Sequence, residues 1–375
     1  MLTPTAFRSL ASTVALLVAA PTALLTTSPA VATDDQHPAK VRGWSVDLDQ
    51  RALSAKGQRV RGRTSFDTVG VTWSGDGDPR VQVRTRTQGV WSEWQHVDQL
   101  THGNRAATEP LWVGPSQALQ VRVETWREDL AVVMVDPGEE PESETAEATA
   151  TATGTANRAA ALTMLRAAAG EPDRAPMPRL RQRSAWGADE KLRGSDPVYL
   201  KGIKQAHVHH TASSSSYTRA EVPGIIRSMY WYHTQKLGWS DIGYNFLVDR
   251  FGRIWVGRAG GFRKRVKGAH TLGFNHSSFG VASIGNHEES GTHRRVRHAL
   301  VRLIAWKLDK EGRSPLGYVR ITSKGSDRYP TRTRVRLPVV TGHRDTNLTA
   351  CPGASLYMAL PKIRRGAQRR VDMFN

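Results

Sequence analysis

The chain contains 375 residues, which is long enough for two domains that each bury a core of their own. Its 53 Lys and Arg outnumber its 34 Asp and Glu, so the formal net charge is +19 and an acidic partner or environment is expected. This charge is spread along the chain without a recognisable nucleic-acid motif, which argues against specific nucleic-acid binding.

Residues 1–32 predict a secretion signal. Arg8 precedes an apolar run over residues 10–25, and Ala30 and Ala32 provide a small-residue cleavage site. The run is interrupted by hydroxyl residues and a proline, so it is short and weak for a membrane span, and no stable span is expected after cleavage. We therefore expect a secreted or cell-wall protein, whose basic surface would meet anionic wall polymers.

Residues 41–136 alternate apolar with polar side chains. The alternation is clearest in Val81–Thr87 and in residues 119–125, with glycine-rich turns between such segments. This pattern predicts a small all-β, sandwich-like accessory module. Trp91 and Trp94 would either present an aromatic platform to glycans or fill the core, and the ligand of the module stays open.

Residues 137–178 predict a linker. The segment is acidic at first and then rich in Ala and Thr, with almost no large apolar residue before Leu162. Such a composition buries too little surface to offset the entropy of ordering. A module joined by such a linker would hold the remainder of the chain near the wall and raise its effective concentration there.

Residues 180–375 mix strand and helix patterns, which predicts an α/β domain with a mixed central sheet flanked by helices. Predicted strands lie at residues 206–210, 245–249, 252–256, 279–284 and 338–341, and the second and third of these form a hairpin with residues 249–252 as its turn. Predicted helices lie at residues 219–236 and 295–310.

Cys351 is the only cysteine of the chain, and it follows His343 by eight residues. In an exported protein it has no disulfide partner within the chain, so we interpret it as a metal ligand. A hydrolytic zinc site has three protein ligands and one open position. The third ligand would come from residues 207–210: His207 and His209 share one face of the predicted strand and His210 points to the other, which leaves the choice open.

Several motifs, in this order along the chain, resemble the peptidoglycan recognition protein family, which includes zinc-dependent N-acetylmuramoyl-L-alanine amidases. They are RSAWGA at residues 183–188, VHHTA at 208–212, GWSDIGYNF at 238–246, GAHT at 268–271 with Asn275, and GHRDTNLTACPG at 342–353. The resemblance covers about residues 180–360, roughly half of the chain. It implies a secreted bacterial zinc hydrolase that binds peptidoglycan and cleaves the bond between N-acetylmuramic acid and L-alanine, in cell-wall remodelling or lysis.

The resemblance also implies roles for individual residues. The zinc ligands would be His209, His343 and Cys351, and this set is complete, whereas many binding-only members of the family lack the cysteine. Catalysis would involve Tyr244 and Thr349. Three residues would line the substrate groove or serve only as fold-stabilising hydrogen-bond partners: His233, His270 and Asn275.

Several alternatives stay open at this stage. Tyr244, with a reference pKa near 10, is a poor base and is expected to donate a hydrogen bond. Thr349 would donate to the same developing charge or would only terminate a turn. Asp345 would orient a ligating histidine or pair with an arginine. The protein as a whole could instead be a non-catalytic peptidoglycan-binding protein or a peptidase that cuts within the stem peptide, and the general base is unassigned.

Overall fold

The computed structural model describes residue 1 and residues 40–51, 57–100, 106–139, 174–288 and 290–375. The predicted signal peptide after residue 1 and most of the predicted linker, residues 140–173, lie outside these described residues. Within the described ranges, no helix combines the length and apolar character needed to cross a bilayer.

The first domain is a single antiparallel sheet of eight strands. In the order β1-β8-β2-β7-β3-β4 the strands pair side by side, and β5 adds to β3 while β6 adds to β2. The strands are β1 (Arg42–Asp47), β2 (Gln58–Trp73), β3 (Val81–Thr87), β4 (Val90–Trp91), β5 (Gln95–His96), β6 (Ala106–Ala107), β7 (Leu111–Val123) and β8 (Ala131–Asp136).

Alternation along these strands sends one set of side chains into a common core. In β3, for example, Val81 and Val83 are fully buried, while Gln82 between them and Arg84 after them stay partly exposed. The pairing of β2 with β7 shifts register on both sides of Phe66, and such irregularities bend a sheet. The predicted all-β class is confirmed, with one curved sheet instead of two separate ones surrounding the core.

The second domain contains a six-stranded mixed sheet in the order β16-β10-β13-β11-β12-β9 and a separate hairpin, β14-β15. The strands are β9 (Leu180–Arg181), β10 (Gln205–His210), β11 (Phe246–Val248), β12 (Ile254–Val256), β13 (Ser278–Ser283), β14 (Tyr318–Thr322), β15 (Arg334–Pro338) and β16 (Val340–Gly342). The helices are α1 (Glu221–Trp231), α2 (Arg294–Asp309) and α3 (Ala354–Asp372).

The helices cover both faces of this sheet, as the sequence predicts for an α/β domain. Apolar residues of α2 and α3, such as Leu303 and Leu360, share one core with Val208 of β10. Ile226 of α1 belongs to a different core, together with Ala282 of β13. Strands β10 and β13 pair in parallel and are buried along their whole length, which is typical of a sheet covered on both sides.

The predicted helix over residues 219–236 changes form near its end. The α-helix α1 ends at Trp231, and Tyr232–Lys236 continue as a π-helical turn. Thr234 bonds back to the carbonyl of Tyr230 through its hydroxyl, at 2.9 Å. The wider turn presents Tyr232 to the first domain and His233 to the second, in keeping with the frequent occurrence of such turns near functional sites.

The two domains pack directly against each other through this turn. The Tyr232 hydroxyl donates to the carbonyl of Thr108 at 3.1 Å, and its ring lies against Gly70, where an added Cβ would come within 2.5 Å of the ring. Arg227 donates to the carbonyl of Pro137 at 3.0 Å. The first domain is therefore a packed neighbour of the second domain, in addition to being joined to it through the chain.

Replacing Tyr232 with alanine is expected to weaken this interface strongly. The side chain is completely buried, so its loss removes an aromatic contact of about 3–5 kcal/mol from the free energy of unfolding. Tyr232→Phe is the matched control, because it loses only the hydroxyl bonds, at about 1 kcal/mol. Urea unfolding measures both changes, and equal stability of Tyr232→Ala and the wild type would contradict the interface described here.

Candidate metal centre

Three potential metal ligands meet at the carboxyl ends of two neighbouring parallel strands. His209 lies near the end of β10, His343 begins a short 3-10 turn directly after β16, and Cys351 follows in the next loop. The pairing of β10 with β16 brings the two strand ends side by side. The ligand atoms of all three residues lie within 4.8 Å of one another, and all three side chains are buried.

The donor set fits zinc. Tetrahedral zinc with bonds of about 2.0 Å to nitrogen and about 2.3 Å to sulfur holds the two donor atoms about 3.5 Å apart. Sγ of Cys351 lies 3.7 Å from Nδ1 of His209, and the rings of His209 and His343 are 4.6 Å apart between centroids. Two imidazoles and a thiolate leave one position for a substrate or water, as expected for a hydrolytic site.

The imidazole of His270 bonds to the ring nitrogen of His209 that does not face Cys351. Nε2 of His209 is 3.1 Å from Nδ1 of His270, which is completely buried. Such a partner fixes the orientation and tautomer of a ligating histidine. His207, His209 and His270 also form a close group of potential ligands, but Nε2 of His207 bonds to the side chain of Gln205 at 3.3 Å. We therefore assign the centre to the set that contains the thiol.

The structure decides among the three histidines of β10 that periodicity left open. His207 and His209 do share one face, and His210 lies on the other, where it stacks on His287 at 6.4 Å. Only His209 reaches both His343 and Cys351.

Burial raises the pKa of the Cys351 thiol well above its ordinary value. The backbone N–H of His210 donates to Sγ at 3.4 Å and lowers the pKa, while the charges of Glu109 and Asp98 raise it. The thiolate form therefore needs a cation nearby, which couples metal binding to loss of the thiol proton.

Tyr244 lies beside the proposed ligands as a neutral phenol. Its side chain is buried, and its ring centroid is 5.3 Å from that of His209. Burial raises its pKa well above the ordinary value, and the charges of Glu109 and Cys351 raise it further. A phenol in this state donates a hydrogen bond and does not act as a base, which agrees with the role expected from its reference pKa.

Two carboxylates of the first domain also influence the centre, and sequence reasoning missed both. Glu109 donates its backbone N–H to the carbonyl of Asp98 at 2.8 Å, and their side-chain charges both act on Cys351. Burial, with a smaller effect of Asp98, raises the pKa of Glu109 to about 8. No spacing rule links residues of different domains, so no sequence signal could have found this pair.

Thr349 and Asp345 support the loop that presents Cys351. The Thr349 hydroxyl accepts the backbone N–H of Cys351 at 3.2 Å, which is the turn role considered from the sequence. Asp345 accepts from the Tyr357 hydroxyl at 2.6 Å and from the backbone N–H of Gly342 at 2.9 Å. It therefore neither orients a ligating histidine nor pairs with Arg344, whose guanidinium instead lies near Glu288.

The three predicted substrate-groove residues occupy different places. His233 is buried, stacks on Trp239 at 4.5 Å, and accepts the backbone N–H of Gly243 at 3.3 Å. Asn275 accepts the backbone N–H of His270 at 2.9 Å. Asn275 thus holds the backbone of His270, and the His270 ring in turn bonds to His209. These contacts favour the hydrogen-bonding alternative for His270 and Asn275 over substrate contact.

His287→Gln is expected to flatten the loss of stability at acid pH. Burial lowers the pKa of His287 to about 4. As pH falls below about 6.5, the imidazole of His287 binds a proton in the unfolded chain but stays neutral in the folded chain until about pH 4. The free energy of unfolding therefore drops by about 3 kcal/mol between pH 7 and pH 4. Urea unfolding at both pH values measures this term. The exposed His298→Gln serves as control, and equal pH dependence in the two variants would refute the assignment.

Comparison with known families finds two matches along the chain. Residues 199–354 match the family described as N-acetylmuramoyl-L-alanine amidase. Residues 19–158 match the family described as Rv3811 N-terminal galactose-binding domain-like. The first match contains all three proposed ligands, and the second contains the whole eight-stranded sheet.

Individual relatives match the second domain. Peptidoglycan-recognition protein SC1a/b of Drosophila simulans is 30% identical over 177 residues, which is 47% of this chain and 80% of that protein. An N-acetylmuramoyl-L-alanine amidase of Homo sapiens is 37% identical over 114 residues, 29% of this chain and 19% of that protein. Among solved structures, Drosophila PGRP-LB is 26% identical over 48% of this chain and 92% of its own, with a TM-score of 0.38.

Proposed function

The chain belongs to the peptidoglycan-recognition protein family, and on this premise we propose that it is a secreted zinc hydrolase that cleaves the amide bond between N-acetylmuramic acid and L-alanine of peptidoglycan. Its role would be in cell-wall remodelling or lysis. The signal-like sequence of residues 1–32 supports secretion, and the two-domain chain would act at the wall after the signal is removed.

One observation carries the proposal of catalysis. His209, His343 and Cys351 form a complete, buried set of zinc donors with a nitrogen-to-sulfur distance of 3.7 Å. A protein that only bound peptidoglycan would not need a three-ligand site with an open fourth position.

The side chains around this set support amide hydrolysis. A bound zinc ion would supply an activated water and polarisation of the scissile carbonyl. Tyr244, kept neutral by burial, would donate its hydroxyl proton in a hydrogen bond to the oxygen that gains charge in the tetrahedral state. His270 would hold the imidazole of His209 in one orientation, and Thr349 would hold the loop of Cys351 through the backbone N–H of that residue.

The test uses the full two-domain chain, because removal of the first domain would expose Tyr232, whose ring packs on Gly70 of that domain. The protein is incubated with defined muropeptides, with and without a chelator, and the products are identified by mass spectrometry. We expect release of the intact stem peptide from N-acetylmuramic acid, loss of this activity with chelator, and recovery with added zinc.

Two other results would replace the proposal. Tight binding of muropeptide without any cleavage would indicate a non-catalytic peptidoglycan-binding protein. Cleavage inside the stem peptide would indicate a peptidase. Metal analysis of the same preparation distinguishes an inactive protein with bound zinc from one that lacks the metal.

A further inference from the structure

The outer surface of the first domain carries five arginines on three adjacent strands. We call this surface the arginine face: Arg59 and Arg61 of β2, Arg84 and Arg86 of β3, and Arg122 of β7. Each lies next to a buried valine or threonine in the chain, so alternation points all five side chains away from the core. The strand order β2-β7-β3 places them on one continuous surface.

Two tryptophans, Trp91 and Trp94, contact three of these arginines, and we call these five side chains the ladder. The Arg84 guanidinium carbon lies 5.3 Å from the ring centroid of Trp91 and 4.9 Å from that of Trp94. Arg59 lies 5.5 Å from the Trp91 ring, and Arg122 lies 4.3 Å from the Trp94 ring. Each indole thus has two guanidinium groups over it, at distances typical of cation–π contacts.

Two glutamines hold the guanidinium groups further. Nε of Arg84 donates to the side-chain oxygen of Gln120 at 2.7 Å, and Nε of Arg122 donates to that of Gln82 at 2.6 Å. These bonds use only Nε, so the two terminal nitrogens of each group remain available to a ligand. The arginines are therefore preorganised, which reduces the entropy lost when they bind a partner.

The positive charges of this face are not neutralised by the protein. Within the described parts of the chain, none of the five arginines forms an ion pair with a carboxylate. The carboxylates near the edges are engaged elsewhere or point to solvent: Glu124 pairs with Arg80, Asp98 with His96, and Glu93 is exposed. Neighbouring strands are about 4.8 Å apart, so the charges are closely spaced and favour a ligand with repeated negative groups.

The ladder also selects among polyanions. Proteins that bind single-stranded nucleic acid stack the bases on open aromatic rings. Here Trp91 and Trp94 each contact two guanidinium groups, which compete with a base or a sugar ring for the faces of the indoles. Both tryptophans are half-buried, and neither belongs to the buried core of the first domain.

We propose that the arginine face binds a linear phosphodiester polymer of the cell wall that carries no bases. Guanidinium groups match phosphate oxygens in a two-point hydrogen bond, and a regular series of phosphates would span the three strands. The choice of the wall as the source of the polymer rests on the proposed function. The surface itself rests on the geometry of the first domain and not on the metal centre.

The test measures binding of the full chain to poly(glycerol phosphate) over a range of salt concentrations. Arg61 and Arg86 lie outside the ladder, so the double variant Arg61→Gln/Arg86→Gln removes charge from the face without disturbing the tryptophans. We expect the dissociation constant to rise at least about 10-fold. The slope of the logarithm of the binding constant against the logarithm of the salt concentration is expected to correspond to about two fewer released ions. Arg302→Gln/Arg365→Gln, with the same charge change on exposed helix positions, is expected to alter binding less than about 3-fold.

A second variant tests the ladder at constant charge. Arg84→Lys keeps the positive charge but loses the planar group that stacks between the indoles, and we expect binding to weaken about 5-fold or more. Equal effects of the face and control double variants would overturn the proposal, because binding would then follow net charge alone. Equal or tighter binding of single-stranded DNA with the same number of phosphates would also overturn it and indicate a nucleic-acid surface.

The same variants separate this proposal from the proposed function. Soluble muropeptides contain no phosphodiester chain, so cleavage of muropeptides by Arg61→Gln/Arg86→Gln is expected to equal that of the wild type. If the wild type fails to cleave muropeptides, the binding assay with poly(glycerol phosphate) still decides whether the arginine face functions as inferred.

Discussion

Cys351→Ser is expected to remove bound zinc and to lower amide hydrolysis at least about 100-fold. The thiolate is the anionic member of the proposed ligand set, and a serine hydroxyl is a much poorer zinc donor. Its Sγ lies 3.7 Å from Nδ1 of His209, at a distance that suits two donors of one zinc ion. Zinc is measured per protein chain after dialysis, and activity is measured on defined muropeptides.

The fold of the variant is the control for this result. The eight-stranded domain does not contain Cys351, so its circular dichroism and its urea unfolding are expected to match the wild type. A variant that binds one zinc per chain and turns over normally would refute the role of Cys351 as a ligand. Loss of activity with zinc retained would place the cysteine in the reaction instead of in the metal site.

Tyr244→Phe is expected to retain zinc and lose rate. The substitution removes only the hydroxyl, which we expect to bond to the oxygen that becomes negative in the tetrahedral state. Loss of one such donor lowers kcat by about 100-fold to 1,000-fold. Because the bond strengthens as charge develops, KM is expected to change much less than kcat.

Tyr230→Phe is the matched control for Tyr244→Phe. Tyr230 is also buried, and its hydroxyl donates to the carbonyl of Asp189 at 3.0 Å, away from the metal ligands. Its loss is expected to reduce stability by about 1 kcal/mol without changing kcat. A kcat for Tyr244→Phe within twofold of the wild type would remove Tyr244 from the proposed mechanism.

The contact between the domains bears on how the centre works. Glu109 and Asp98 belong to the first domain, yet their charges raise the pKa of Cys351 in the second. The sequence suggested a module that acts by proximity, joined through residues 137–178. Direct packing through Tyr232 also joins the first domain to the π-helical turn that carries His233 of the second domain.

Local patterns predicted much of the fold. The period of two in residues 81–87 and 119–125 reflects side chains that alternate across a sheet, and the apolar spacing near residues 295–310 reflects one buried face of a helix. These are short-range properties, so they can be read without knowing what packs on them. The end of α1 at Trp231 was missed, and the π-helical turn that follows packs Tyr232 against the other domain, a contact that local spacing does not reveal.

The sequence by itself determined the chemistry available to this protein: a single thiol, a histidine eight residues before it, a cluster of histidines on one strand, and a strongly basic surface. Only the tertiary structure decided which of these groups meet. The parallel pairing of β10 with β16 brings His209 to His343 and Cys351, and the packing of the domains brings Tyr232 against Gly70. The physical reason is that residue type and spacing fix side-chain chemistry and local direction, whereas distances between segments far apart in the chain depend on packing of the whole molecule.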